Sequence, residues 1–199
     1  MRLVNFVSGE YYHIFNRGVD KRDVFLEGQD FARFLEKIEE YSIDPEDGAA
    51  LVEVSAYCLM DNHYHLILHQ QKERGISRFM QRLVLSHVQF MNKKYKRSGC
   101  LFEGPFRAKH VDTEGYLARL TAYIHANPSD RGGDTNTHTG ARGIFERCRL
   151  YDWSDCSLYL AGKGPLLWLF DDVAYEQFLM QQIRWTESVP GTAVPGTEG

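Results

Sequence analysis

Two hydrophobic rhythms divide the chain. In "DFARFLEKIEEYS" (30–42) the apolar residues Phe31, Phe34, Leu35, Ile38 and Tyr41 recur at three- and four-residue intervals, which predicts an amphipathic helix that "DPEDG" (44–48) then breaks. "YYHIFNRG" (11–18) reads instead as a strand running into a turn at Gly18. "LVEVSAYCLM" (51–60) and "HYHLILHQ" (63–70) are two further β-rich runs separated only by Asp61 and Asn62. That spacing predicts a tight hairpin whose turn residues accept positive φ. "ISRFMQRLVLSHVQFMNKKYKR" (76–97) predicts a long helix with Phe79, Leu83, Phe90 and Met91 inward and much basic charge outward. "FRAKHV" (106–111) is a short strand candidate. A further helix runs from about Asp112, as N-cap, to Asn127, where Pro128 disfavours helical geometry in the residue before it.

A Gly/Thr/Asn-rich loop (127–143) follows, then a Trp-, Tyr- and Leu-rich part (144–186) expected to pack on the core with a last helix near 171–186. The end repeats VPGT twice and is expected to be a disordered tail, 187–199. The order of elements predicts an α+β fold: a ferredoxin-like or RRM-like antiparallel sheet with helices packed on one face, plus a C-terminal helical extension. The expected division is a catalytic core over 1–128, an extension over 129–186 and the tail.

Composition narrows the class. Hydrophobic residues make up 43% and charged residues 25%, as in ordinary soluble domains. No apolar run is long enough for a transmembrane helix, and the N-terminus lacks the pattern of a signal peptide. Cys58, Cys100, Cys148 and Cys156 are widely spread without a CxxC pair, which suits reduced thiols in a cytoplasm. The net charge of −4 argues against a nucleic-acid partner, but its distribution reverses that argument. Residues 71–110 hold ten Lys/Arg against Glu73 and Glu103, so the excess of acid lies elsewhere.

The candidate chemistry starts with His63 and His65. Residues i and i+2 of a strand share a face, so these imidazoles project together. On the helix before Pro128, Asn127 falls in the middle of the apolar stripe and Tyr123 lies one turn earlier on the same face. A buried amide needs a hydrogen-bond or metal partner. If the helix packs on the sheet, two imidazoles and an amide oxygen make an open three-ligand site of a kind that suits Mg²⁺ or Mn²⁺. A tyrosine beside such a metal can act as a nucleophile toward phosphorus. His13, His69, His87, His110, His125 and His138 are taken as structural or surface residues.

"YYHIFNRG", "YCLMDNHYHLIL", "GCLFEGPFRAKHV…YLARLTAYIHANP" and "YDWSDCSLYL" occur in that order. Together they resemble the single-tyrosine HUH transposases, especially the transposase-like proteins associated with repetitive extragenic palindromes. The resemblance covers roughly residues 11–160. It implies His63 and His65 as metal ligands around a bulky Tyr64, Tyr123 as catalytic nucleophile and Asn127 as third ligand. It also implies cleavage and rejoining of single-stranded or hairpin DNA, with a divalent metal and a covalent 5′-phosphotyrosine link, by a monomer or homodimer.

Two places depart from the family pattern. Pro105 stands where many members carry Arg, with Arg107 two residues on, and "SDRGGDTNTH" follows Asn127-Pro128. From charge and sheet-edge position, the expected DNA contacts are Asn16, Arg17, Arg78, Arg82, Lys93, Lys94, Lys96, Arg97, Arg107 and Lys109. A histidine-triad nucleotide hydrolase is excluded because the third histidine of that motif would stand at Ile67. A nuclease using water in place of Tyr123, and a domesticated DNA-hairpin-binding protein without turnover, are the competing functions.

Overall fold

The computed structural model describes residues 4–128, 141–166, 169–170 and 174–188. Four antiparallel strands, β1 (Tyr11–Arg17), β2 (Val52–Met60), β3 (His63–Gln70) and β4 (Arg107–Val111), form one sheet in the order β2-β3-β1-β4. The helices are α1 (Gly28–Tyr41), α2 (Gly75–Lys94), α3 (Glu114–Ala126), α4 (Ala141–Arg149), α5 (Cys156–Leu160) and α6 (Ala174–Ser188). The α+β antiparallel sheet matches the expectation. Most of the expected disordered tail, and residues 129–140 of the expected loop, lie outside the described residues.

The helices do not share one face. Tyr64, Leu66 and Leu68 of β3 join Tyr12 and Ile14 in a core closed by Phe31, Phe34 and Ile38 of α1 and Phe79, Met80, Leu83 and Met91 of α2. The intervening Ile67 joins Ala56, Cys58 and Met60 in a second core, on the other face, closed by α3 and the C-terminal helices. Strand alternation explains this: β3 is buried at consecutive positions from Tyr64 to Leu68, so both of its faces need a cover. Phe90, expected inward, is half-buried and lies under the Arg33 guanidinium, 4.4 Å from its ring centre.

Local details differ from the sequence expectation for identifiable reasons. The Asp61-Asn62 turn is tight as expected, yet neither residue has a positive φ. Its carbonyls are instead pinned: Asp61 O accepts from the amides of Val24 and Phe25, and Asn62 O from that of Gly18. The α3 N-cap is Thr113, not Asp112, because its hydroxyl accepts from Tyr116 N at 3.2 Å. Helix α2 starts where Gly75 lies against the Leu51 carbonyl, so closely that a β-carbon there would sit 2.1 Å from that oxygen. From there α2 runs back antiparallel to β3 and ends beside α1, where Lys94 pairs with buried Asp30 at 2.6 Å.

His87 of α2 is wholly buried, and its Nε2–H donates to Val24 O at 2.8 Å while Nδ1 has no hydrogen-bond partner. Burial pushes its pKa down to about 4, partly opposed by that hydrogen bond. In the unfolded chain His87 takes a proton near 6.5, so the unfolded state binds more protons between about pH 6.5 and 4. Stability is therefore full above that window and falls as pH drops through it, by on the order of 3 kcal/mol from this residue. Chemical denaturation near pH 7 and near pH 4.5 should show the loss, and His87→Gln should flatten the slope.

Candidate active site

Antiparallel return paths bring the candidate residues to one end of the sheet. β3 begins at His63 where β1 ends at Arg17, and β4 begins there at Arg107. α3 starts beyond the opposite end of β4, after Val111, and runs back so that its C-terminus reaches His63. Asn127 Oδ1 lies 3.1 Å from His63 Nε2. The His63 and His65 ring centres are 5.2 Å apart with planes at 87°, and the half-buried Tyr123 ring stands edge-on to His65 at 6.0 Å.

Hydrogen bonding fixes the His63 tautomer. Asn62 Nδ2 donates to Lys21 O at 3.2 Å, so its Oδ1 faces His63 Nδ1 at 2.6 Å and must accept from it. In the neutral imidazole Nε2 therefore carries a lone pair toward Asn127. A lone pair and an amide oxygen 3.1 Å apart repel unless a positive charge stands between them or the amide turns to donate. Asn127 is 6% exposed and its Nδ2 has no hydrogen-bond partner. Two oxygen or nitrogen ligands at right angles on a cation bound at about 2.1 Å are about 3 Å apart, so this donor pair fits a small divalent ion. His65, on the same strand face with its ring centre 5.2 Å from that of His63, is the candidate third donor. Among the described residues no group of three or more His, Cys, Asp or Glu side chains that could hold a metal is present, so a site at His63 and His65 needs the Asn127 amide.

His13, taken from the sequence as structural, belongs to this site. Its Nε2 lies 2.8 Å from His65 Nδ1, and the two residues are 1% and 7% exposed. Burial and the nearby Lys109 charge push the His13 pKa down to about 3, and burial, His13 and His63 hold that of His65 well below the ordinary value. The signal was present in "YYHIFNRG", but only the β1–β3 register, with His13 opposite Ile67 and Phe15 opposite His65, shows which face it shares.

The expected DNA contacts separate into groups. Arg17 and Arg107 are exposed and lie, with Lys109, on the histidine face. Asn16 points to the other face, 6% exposed, with Nδ2 donating to Gly104 O at 3.0 Å, so it ties a loop and does not present itself to a ligand. Lys93, Lys96 and Arg97 follow α2 back to the histidine end, whereas Arg78 and Arg82 lie near its far end. Arg78 grips Asp44 through both guanidinium nitrogens at 2.6 and 2.9 Å, Arg82 covers Tyr41 at 4.4 Å, and Lys94 pairs with Asp30 and Glu27.

The profile of the family described as "Transposase IS200 like" matches residues 6–127. The chain belongs to that family. A solved structure of a tyrosine transposase associated with REP sequences, bound to a REP hairpin, is 13% identical with a TM-score of 0.55. The match covers 87% of this chain and 95% of that one. A proposed transposase from Deinococcus radiodurans R1 is 16% identical with a TM-score of 0.41, over 62% of this chain and 95% of that one. No curated protein matches significantly. As an IS200-like transposase the chain is a DNA-processing protein, and none of its described helices is long and apolar enough to cross a membrane.

Next to Tyr123 and Asn127, His125 anchors α3 to the C-terminal helices of this transposase. It is fully buried, donates from Nε2 to Asp155 Oδ1 at 2.7 Å, and accepts at Nδ1 from the Tyr175 hydroxyl. Asp155 Oδ1 also accepts from Tyr57 N at 2.8 Å, linking α3, α5 and β2. Burial holds the Tyr175 hydroxyl protonated, well above its ordinary pKa. Tyr175→Phe leaves a buried acceptor without its donor. It should lower unfolding stability by about 1–3 kcal/mol, read as a shifted denaturation midpoint at unchanged slope.

Proposed function

We propose that this transposase cuts and rejoins single-stranded DNA at hairpins through a covalent 5′-phosphotyrosine at Tyr123. The observation that carries the reading is the convergence of His63, His65 and Asn127 beside Tyr123 at one sheet end, in a chain of the IS200-like family. The hairpin follows from the fold-level likeness to a structure bound to one.

His63 Nε2, His65 Nε2 and Asn127 Oδ1 would hold Mg²⁺ or Mn²⁺. When bound, such an ion supplies Lewis-acid polarisation of a phosphoryl oxygen and neutralises its charge. Tyr123 Oη attacks phosphorus, the bond from phosphorus to the 3′-oxygen breaks, and the 5′-phosphate stays esterified to tyrosine. The phenolic proton passes to solvent and the leaving oxygen takes one up as a 3′-hydroxyl. Attack by a 3′-hydroxyl on the phosphotyrosine reverses these steps, so rejoining needs no ATP. Partial exposure of Tyr123 lets a strand reach it, while Asn127 and His65 are buried behind.

Arg17, Arg107 and Lys109 on the same face, with Lys93, Lys96 and Arg97 at the same end, supply the phosphate contacts. Arg107→Ala should weaken binding of single-stranded DNA and reduce the salt dependence of affinity by about 0.7 in log–log slope, measured by titrations at several salt concentrations.

The deciding experiment mixes the protein with labelled single-stranded hairpins from its gene's flanks, with and without Mn²⁺, on a denaturing gel. A metal-dependent covalent adduct is expected, absent from Tyr123→Phe, which should bind DNA as tightly as the parent. Equal cleavage by that variant sinks the tyrosine role. Cleavage without an adduct points to water as nucleophile, and binding with neither points to a hairpin binder without turnover.

A further inference from the structure

We infer that His13 is a positioning residue that sets the tautomer of His65 and so makes its Nε2 a metal donor. The inference rests on the metal reading of His63, His65 and Asn127. Two neutral imidazoles joined through His13 Nε2 and His65 Nδ1, 2.8 Å apart, share one proton. If His65 donates, its Nε2 keeps a lone pair and can ligate. If His13 donates, the His65 Nε2 carries the remaining proton and cannot. Metal-ligating histidines ordinarily give their other N–H to an acceptor, and that acceptor fixes ring and tautomer.

The pair of ligands is treated alike in this respect. Asn62 accepts from His63 Nδ1, itself held in orientation by the Lys21 carbonyl. His13 occupies the corresponding place for His65, with the rings 5.1 Å apart and nearly parallel at 19°. Nothing about packing alone asks for an imidazole here: the residues that share this face with Ile67 include Ala56, Cys58 and Met60, and an apolar side chain would fill the space without desolvating a polar ring.

The test is metal affinity and tautomer state, neither of which depends on turnover. Mn²⁺ titration by calorimetry should give His13→Phe a dissociation constant about 10–100-fold weaker than the parent, with folding checked by thermal melting. His13→Gln, whose amide oxygen falls near the lost Nε2, should bind Mn²⁺ nearly as the parent does. Long-range nitrogen–proton NMR of the metal-free parent should show His65 as its Nδ1–H tautomer, a readout that stands even where His13→Phe fails to fold. An Nε2–H tautomer in the parent, or unchanged Mn²⁺ affinity in folded His13→Phe, overturns the role of His13 alone. Mn²⁺ binding that His65→Ala leaves unchanged overturns the metal reading and this inference with it.

Discussion

β3 is the strand on which the rest of the molecule depends, because it must be buried on both faces at once. Tyr64, Leu66 and Leu68 enter one core and Ile67 the other, so α1 with α2 and α3 with the C-terminal helices are each required to exclude water from one side. His63 and His65 sit on the Ile67 side by strand parity alone. Any helix that covers Ile67 therefore arrives over the histidines, and α3 does so with its last turn. Shifting β3 by one residue would send both imidazoles into the opposite core and Tyr64 toward α3. The same burial that makes the fold stable thus also fixes which face can carry chemistry.

The sequence made much of this legible, and the exceptions share a cause. Period-two and period-3.6 patterns located the four described strands and the long helices, and the helical angle of Asn127 placed it in the apolar stripe where it is found. What was not legible depends on partners distant in the chain. The second helical layer needed the observation that β3 alternates between two apolar sets, when the histidines had drawn attention to one. His13 could be joined to His65 only through the register of two strands about fifty residues apart, and Asn16 looked available only until Gly104 was seen to hold it. His125 read only as a structural or surface residue because the apolar stripe of α3 was drawn for one neighbour. The helix in fact has two, the sheet on one side and α5 with α6 on the other.

Charge shows the same distinction between composition and place. The basic stretch 71–110 read as one surface, but its cations are at work in different roles. Arg78 together with Lys72 neutralises Asp44, and Lys94 neutralises Asp30, carboxylates with no exposed side-chain surface, so losing Lys94, or Arg78 and Lys72 both, would strand a buried charge. Arg107 and Lys109 lie on β4, an edge strand whose outer side has no partner in the sheet among the described residues. An edge strand carrying cations is protected from pairing with another chain, and the same charges suit a phosphate backbone. The two demands are met by one short element.

The histidine end also places a limit on how freely α3 can move. Tyr123 and Asn127 belong to the final turns of a helix whose intervening residue, His125, is tied through Asp155 to the β2 backbone and through its other nitrogen to Tyr175. One turn of helix therefore carries the candidate nucleophile and ligand on one face and a buried anchor on the other. Rotation of that turn by even a fraction of a residue step would break both hydrogen bonds of His125 in a water-free setting, where neither group could find a substitute. The anchor thus converts the position of α3 from a matter of apolar packing, which tolerates sliding, into one of directional bonds, which do not.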